Sequence, residues 1–231
     1  MANVLDAAQP PALSGPSSCP GTPFFAVTSL TFLKPKMRVM VRPLAAKLAV
    51  MGVTANQVTL TSLVASIAIS AALCAHSDTM LVFALLPLWL PVRTAMAALD
   101  GTLAIEFGQK SRLGGILNEV GDIVSDIALF LPLAFVAPFS AETISPLIGL
   151  IVCAEVAGIV GPLLGSDRRL EGPLGKADRT IVLAVVGAAI AIFGGLPEIA
   201  QMLLPLLYGG LVLTIWNRLR CAIADEGKVA V

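Results

Sequence analysis

Asp100, Asn118, Asp122 and Asp126 are the residues of this sequence whose types and spacing best suit chemistry. Asn118, Asp122 and Asp126 recur every four residues, so on a helix they line one face. All four lie in or beside strongly apolar segments. An ionisable group there costs about 2.5–3.5 kcal/mol on insertion scales, and it faces a bundle interior or a wet cavity. Unpaired, Asp122 and Asp126 would repel, and one would tend to keep its proton. A divalent cation would remove that penalty. Carboxylates with polar oxygens suit Mg2+, Mn2+ or Ca2+ rather than zinc. Polar contacts holding a helix pair together would also account for the cluster, and both readings stay open.

The elements that must position these residues are membrane-spanning helices. The chain has 231 residues, 57% of them hydrophobic and only 13% charged. Its mean hydropathy is +0.90. A soluble domain would carry about 25% charged residues. Six apolar runs of helical length follow one another, at about 58–75, 80–99, 115–137, 144–164, 180–193 and 199–216. The expected fold is therefore an all-α membrane protein with six transmembrane helices. Pro87 and Pro91 fall in the second run, where neighbouring helices can cover the freed carbonyls. Before the first run, residues 34–56 carry Lys34, Lys36, Arg38, Arg42 and Lys47 among Met37, Val39, Met40, Val41, Leu44 and Leu48. That spacing predicts a basic amphipathic helix on the membrane surface. Residues 1–33, rich in Pro, Ser and Gly, read as a disordered leader and not as a signal peptide. Residues 57–221 form the membrane domain, and 222–231 a cytoplasmic tail.

All 15 Lys and Arg residues sort to one side of this six-span arrangement. They precede the first span, surround the loop after the second, fill 168–179 between the fourth and fifth, and follow the sixth. The opposite connections, near His76–Asp78, at 138–142 and at 194–198, carry none. Both termini and the acidic cluster are thus expected on the cytoplasmic face, and a bacterial inner membrane is the expected location. The net charge of zero points to no nucleic-acid partner. The four cysteines show no CxxC pairing and read as small buried side chains. His76 reads as a solvated loop residue and Trp216 as an interfacial anchor. Asn56, Gln57 and Thr59 either cap the first span or reach a ligand, and Glu155 either lines the cavity or bonds a neighbouring helix.

The stretch Asp100-Gly101-x-x-Ala104, followed by Gly114-x-x-x-Asn118-x-x-x-Asp122, resembles the signature of the CDP-alcohol phosphotransferases. That signature runs Asp-x-x-Asp-Gly-x-x-Ala-Arg, eight residues, Gly-x-x-x-Asp-x-x-x-Asp. The spacing is matched throughout, and the resemblance covers roughly residues 36–220. Three positions depart from it: Ala97 replaces the first aspartate, Ile105 the arginine and Asn118 the third aspartate.

The resemblance implies transfer of a phosphatidyl or related phosphoalcohol group from a CDP-linked lipid donor to an alcohol acceptor, with release of CMP. Asp100, Asn118, Asp122 and the added Asp126 would hold Mg2+ or Mn2+, and Asp122 would deprotonate the acceptor. Asp100, Gly101, Ala104 and Gly114 would meet the nucleotide, the glycines letting backbone approach closely. Arg112, Lys176 and Arg179 are candidates for substrate phosphate, with ordinary anchoring as the competing reading. A homodimer in contact with membrane lipid is also implied. Two other functions stay open. The lost acids would suit a protein that binds CDP-lipid without turnover. The acidic cluster would suit a small cation transporter, although no inverted repeat is visible.

Overall fold

Capping chemistry sets where the helices begin. Thr54 and Gln57 form a reciprocal capping box, so α2 (Ala55–Ala75) starts directly after Thr54. Ser111 Oγ accepts from Gly114 N at 2.9 Å and starts α4 (Arg112–Phe130). The Asp178 carboxylate accepts from Gly175 N at 3.0 Å and starts α6 (Lys176–Phe193). The computed structural model describes residues 33–164 and 168–229. Residues 1–32 of the expected leader lie outside them.

The remaining helices are α1 (Leu33–Val50), α3 (Leu85–Glu106), α5 (Ala141–Leu163) and α7 (Leu203–Val229). Short 3-10 turns lead into α3 and α7, and another follows α4. Among the described residues there is no strand. α2 packs against α3 and α4, α5 runs along α7, and α6 lies on α3. A core of Leu73, Leu86, Leu90, Leu129, Leu147 and Leu183 with their neighbours joins these helices. Val41 and Ala45 of α1 pack into a smaller cluster with Val58, Leu99 and Leu103. Gln109 ties the α3–α4 connection to the turn before α2, accepting from Ala55 N and donating to Val53 O.

Four stretches among the described residues are long and apolar enough to cross a membrane: Ala55–Ala75, Met80–Glu106, Ala141–Leu163 and Glu198–Ala224. The expected third and fifth spans, α4 and α6, do not qualify, and the reason is charge. α4 carries Arg112, Glu119, Asp122 and Asp126, and α6 carries Lys176, Asp178 and Arg179. The helix of the expected fifth span, α6, begins at Lys176 rather than near 180, because the Gly175–Asp178 cap draws the preceding polar turn into the helix. Close packing on α3 holds it there. A Cβ at Gly187 would come 2.7 Å from Leu86 Cβ, so only glycine permits this approach.

Candidate active site

Thr59 and Ser62 of α2, Arg93, Ala97 and Asp100 of α3, and Asn118, Asp122 and Ser125 of α4 line one pocket. Four positions of the signature therefore converge: Ala97, Asp100, Asn118 and Asp122. Helical spacing brings this about. Arg93, Ala97 and Asp100 stand one turn apart along α3, and Asn118 and Asp122 one turn apart on the facing side of α4.

Asp100 is buried and accepts a hydrogen bond from Thr59 Oγ1 at 2.7 Å. Thr59 thus fixes Asp100, while Gln57 belongs to the capping box. In front of Gly101 a Cβ would meet nothing within 4 Å, so its backbone faces open space. Ala104 is half-buried on the next turn. Gly114 is tight for a different reason. A Cβ there would lie 2.5 Å from Asn56 Oδ1 and 2.9 Å from Ser111 Oγ, so it admits the N-terminus of α2.

Asp122 is engaged on both oxygens. Arg93 Nη2 lies 3.5 Å from Oδ1 and also donates to the Asp122 carbonyl at 3.3 Å. The Lys176 ammonium pairs with Oδ2. Asp126, one turn deeper, is held by two buried guanidinium groups: Arg93 Nη1 at 2.9 Å from Oδ1, and Arg179 Nη2 at 3.1 Å from Oδ2. Arg179 also pairs with Glu155, which Arg168 reaches at 2.9 Å. Arg168 continues to Glu119 at 2.7 Å. These pairs form one continuous ionic network across α3, α4, α5 and α6. Each charge offsets its neighbour's desolvation, without which neither would stay ionised away from water. Arg112 stands apart, exposed on the first turn of α4.

Arg93 lines the pocket, and Glu119, Arg168 and Glu155 belong to the ionic network behind it; the pattern of acids assigned none of them a role. Arg93 carried a signal: it stands four and seven residues before Ala97 and Asp100, on the same helical face. Glu155 carried only its burial cost, since its partners come from elsewhere in the chain.

The donor set bears on which cation fits. Two carboxylates and one amide oxygen converge, and Ala97 contributes no ligand. Among the described residues, no three His, Cys, Asp or Glu side chains stand close enough to hold a metal by themselves. Mg2+ is commonly bound by one or two carboxylates together with water and substrate phosphates. Asp100, Asn118 and Asp122 therefore fit one hard cation whose shell a pyrophosphate completes. They do not fit two. Asp126 does not line the pocket, and both its oxygens pair with buried guanidinium groups.

No protein-family model matches the chain. The chain is similar to inner membrane protein YnbA of Escherichia coli (strain K12), 35% identical over 197 residues, which is 85% of this chain and 98% of the relative. Its fold is similar to that of phosphatidylinositol phosphate synthase from Mycobacterium tuberculosis with CDP-DAG bound. The TM-score is 0.58 and the identity 25%, covering 78% of this chain and 92% of that one. A second structure of that synthase, in complex with manganese and citrate, matches with the same TM-score and covers 88% of its own chain. Signature spacing, convergence of the signature positions on one pocket and likeness to this synthase agree: the chain belongs to the CDP-alcohol phosphotransferase family.

Proposed function

We propose that this protein transfers a phosphatidyl group from a CDP-linked lipid donor to an alcohol acceptor and releases CMP. The observation that carries this reading is the meeting of Asp100, Asn118 and Asp122, at signature spacing, in one pocket between α2, α3 and α4. The synthase with CDP-DAG bound supports the donor class.

The acceptor oxygen attacks the β-phosphorus, a new P–O bond forms, and the bond to CMP breaks. The alcohol proton passes to the Asp122 carboxylate. Asp100, Asn118 and Asp122 would hold one Mg2+ or Mn2+, and Asp100 is oriented by Thr59. When bound, the cation offsets pyrophosphate charge and polarises its oxygens. Gly101, Ala104 and Gly114 border the nucleotide. Lys176 exchanges Asp122 for a substrate phosphate when the donor enters, and Arg112 approaches from the exposed first turn of α4. Arg179 stays with Asp126 and Glu155, and Asp126 serves as their counter-ion rather than as a metal ligand.

The same reading gives six spans, α2 to α7, with α1 on the cytoplasmic surface of a bacterial inner membrane, and a homodimer as the working assembly. Asp122 lies ten residues into α4 yet pairs with Lys176, the first residue of α6. This pairing supports a pocket at the level where a lipid-borne phosphate meets water.

Purified protein given CDP-diacylglycerol, Mn2+ or Mg2+ and a panel of alcohols should release CMP. Asp122→Asn should lower that release by about 100-fold or more. Full activity in this variant would remove Asp122 as the base. A second reading, binding of CDP-lipid without turnover, is favoured by one observation: Ala97 occupies the pocket wall where the family supplies a carboxylate. Under it, CMP release would appear only after Ala97→Asp, Ile105→Arg and Asn118→Asp are combined.

A further inference from the structure

Glu155 stands in the middle of α5, only 2% exposed, and three guanidinium groups converge on its carboxylate. Arg179 of α6 pairs with Oε1. Arg168, from the α5–α6 connection, lies 2.9 Å from Oε2. Arg218 of α7 places Nη1 3.8 Å from Oε1 and donates to the Ala154 carbonyl. Room for this gathering comes from Gly158, where a Cβ would lie 3.2 Å from Arg218 Nη1 and 3.0 Å from Arg169 O. Arg168 and Arg179 each serve a second carboxylate as well, and the three arginines, drawn from three separate elements, form a cage of the kind that recognises a phosphate.

The cage connects to Arg93 and Asp122, which line the pocket, through two links. Arg168 spans Glu155 and Glu119, which stands three residues before Asp122 on α4. Arg179 spans Glu155 and Asp126, which shares Arg93 with Asp122.

We infer that Glu155 is an internal counter-anion that fills this arginine cage and restricts the acceptor to alcohols carrying no phosphate. The inference rests on the transferase reading above. A phosphorylated acceptor would have to displace a carboxylate fixed to the middle of a helix. Either Glu155 would remain beside the phosphate as a repelling charge, or it would be stranded without its partners. A neutral polyol asks for neither and leaves the network intact.

The test compares glycerol with glycerol 3-phosphate, and inositol with inositol phosphate, as acceptors for CDP-diacylglycerol and Mn2+. The neutral member of each pair should be used with kcat/KM at least about 100-fold higher. Preference for the phosphorylated member overturns the inference while leaving the transferase reading in place. Absence of CMP release with every acceptor overturns the transferase reading instead. Calorimetry then decides the cage separately, with glycerol 3-phosphate titrated into detergent-purified protein. The native protein should show no binding, and Glu155→Gln should bind at least about tenfold more tightly. Native binding as tight as that of Glu155→Gln overturns the inference. Should Glu155→Gln fail to fold, the native titration decides alone, and sub-millimolar binding there sinks it.

Discussion

Asp122 and Asp126 stand one turn apart on α4, yet their surroundings differ, and the proposed mechanism gives them different work. Asp122 is half-buried, lines the pocket, and has a flexible lysine as one of its partners. Asp126 is 5% exposed and clamped by two buried arginines. Asp126→Asn would leave Arg93 and Arg179 short of a counter-charge. Breaking such a pair costs about 3–5 kcal/mol, so this variant should lose thermal stability in detergent. Asp122→Asn should melt close to the native protein while losing CMP release. Equal losses of stability in both would refute the division of labour. Thr59 supplies a finer probe, since its hydroxyl fixes Asp100. Thr59→Val keeps the shape and removes the donor. The Mn2+ concentration for half-maximal activity should rise about 10-fold, the scale seen when a residue orienting a metal ligand is lost. An unchanged Mn2+ requirement would mean that Asp100 does not touch the cation.

α4 and α6 are too charged to qualify as spans by composition alone, and their charges find partners on α3 and α5 and in the 168–171 segment. In lipid, apolar burial does not drive helices together, so close packing and polar pairs must do so. α6 uses both: Lys176 and Arg179 reach the site, and Gly187 seats the helix against Leu86 and the Phe83 carbonyl. Gly187→Leu should force α6 away from α3. Overpacking of this kind typically costs about 1–3 kcal/mol. Because Lys176 and Arg179 ride on the same helix, activity should fall further than the shift in melting temperature alone would explain. A melting loss with full activity would show that the pairs at the N-terminus of α6 tolerate the displacement.

What the sequence made legible follows from this difference in range. The α3–α4 hairpin was readable because its site positions repeat at helical spacing across one short connection. Thr59 was readable as a choice between cap and ligand, and Gln57 took the cap. Arg93 and Glu155 were not assigned roles, because a charge in an apolar run announces a partner without naming it. Glu155 finds Arg179 24 residues on, and Arg218 donates to the adjoining Ala154 carbonyl 64 residues away. Only packing of α5 against α7, and of α6 across α3, brings those side chains together. Composition qualifies only four of the six expected spans for the same reason: it weighs the charges of α4 and α6 without the counter-charges that pair with them.

At the scale of the whole molecule, topology and chemistry constrain each other. A six-span arrangement puts every lysine and arginine on the side that holds Asp100 and Asp122. The ionic network occupies that same half, from Arg93 through Arg179 to Arg218. A helix pair failing to cross would strand part of this network on the wrong face, since α3 and α4 deliver Arg93 and Asp126 from opposite chain directions. The orientation is open to direct measurement. In a background with the native cysteines replaced, cysteine is introduced at Asp78, in the turn after α2, or at Lys110, in the connection between α3 and α4. A membrane-impermeant maleimide should label the Asp78 position in intact cells and reach the Lys110 position only after permeabilisation. The reverse pattern would place the site on the outer face and remove the supply of a cytoplasmic nucleotide donor. Labelling of both positions from one side would mean that α3 does not cross, and the six-span arrangement would fall with it.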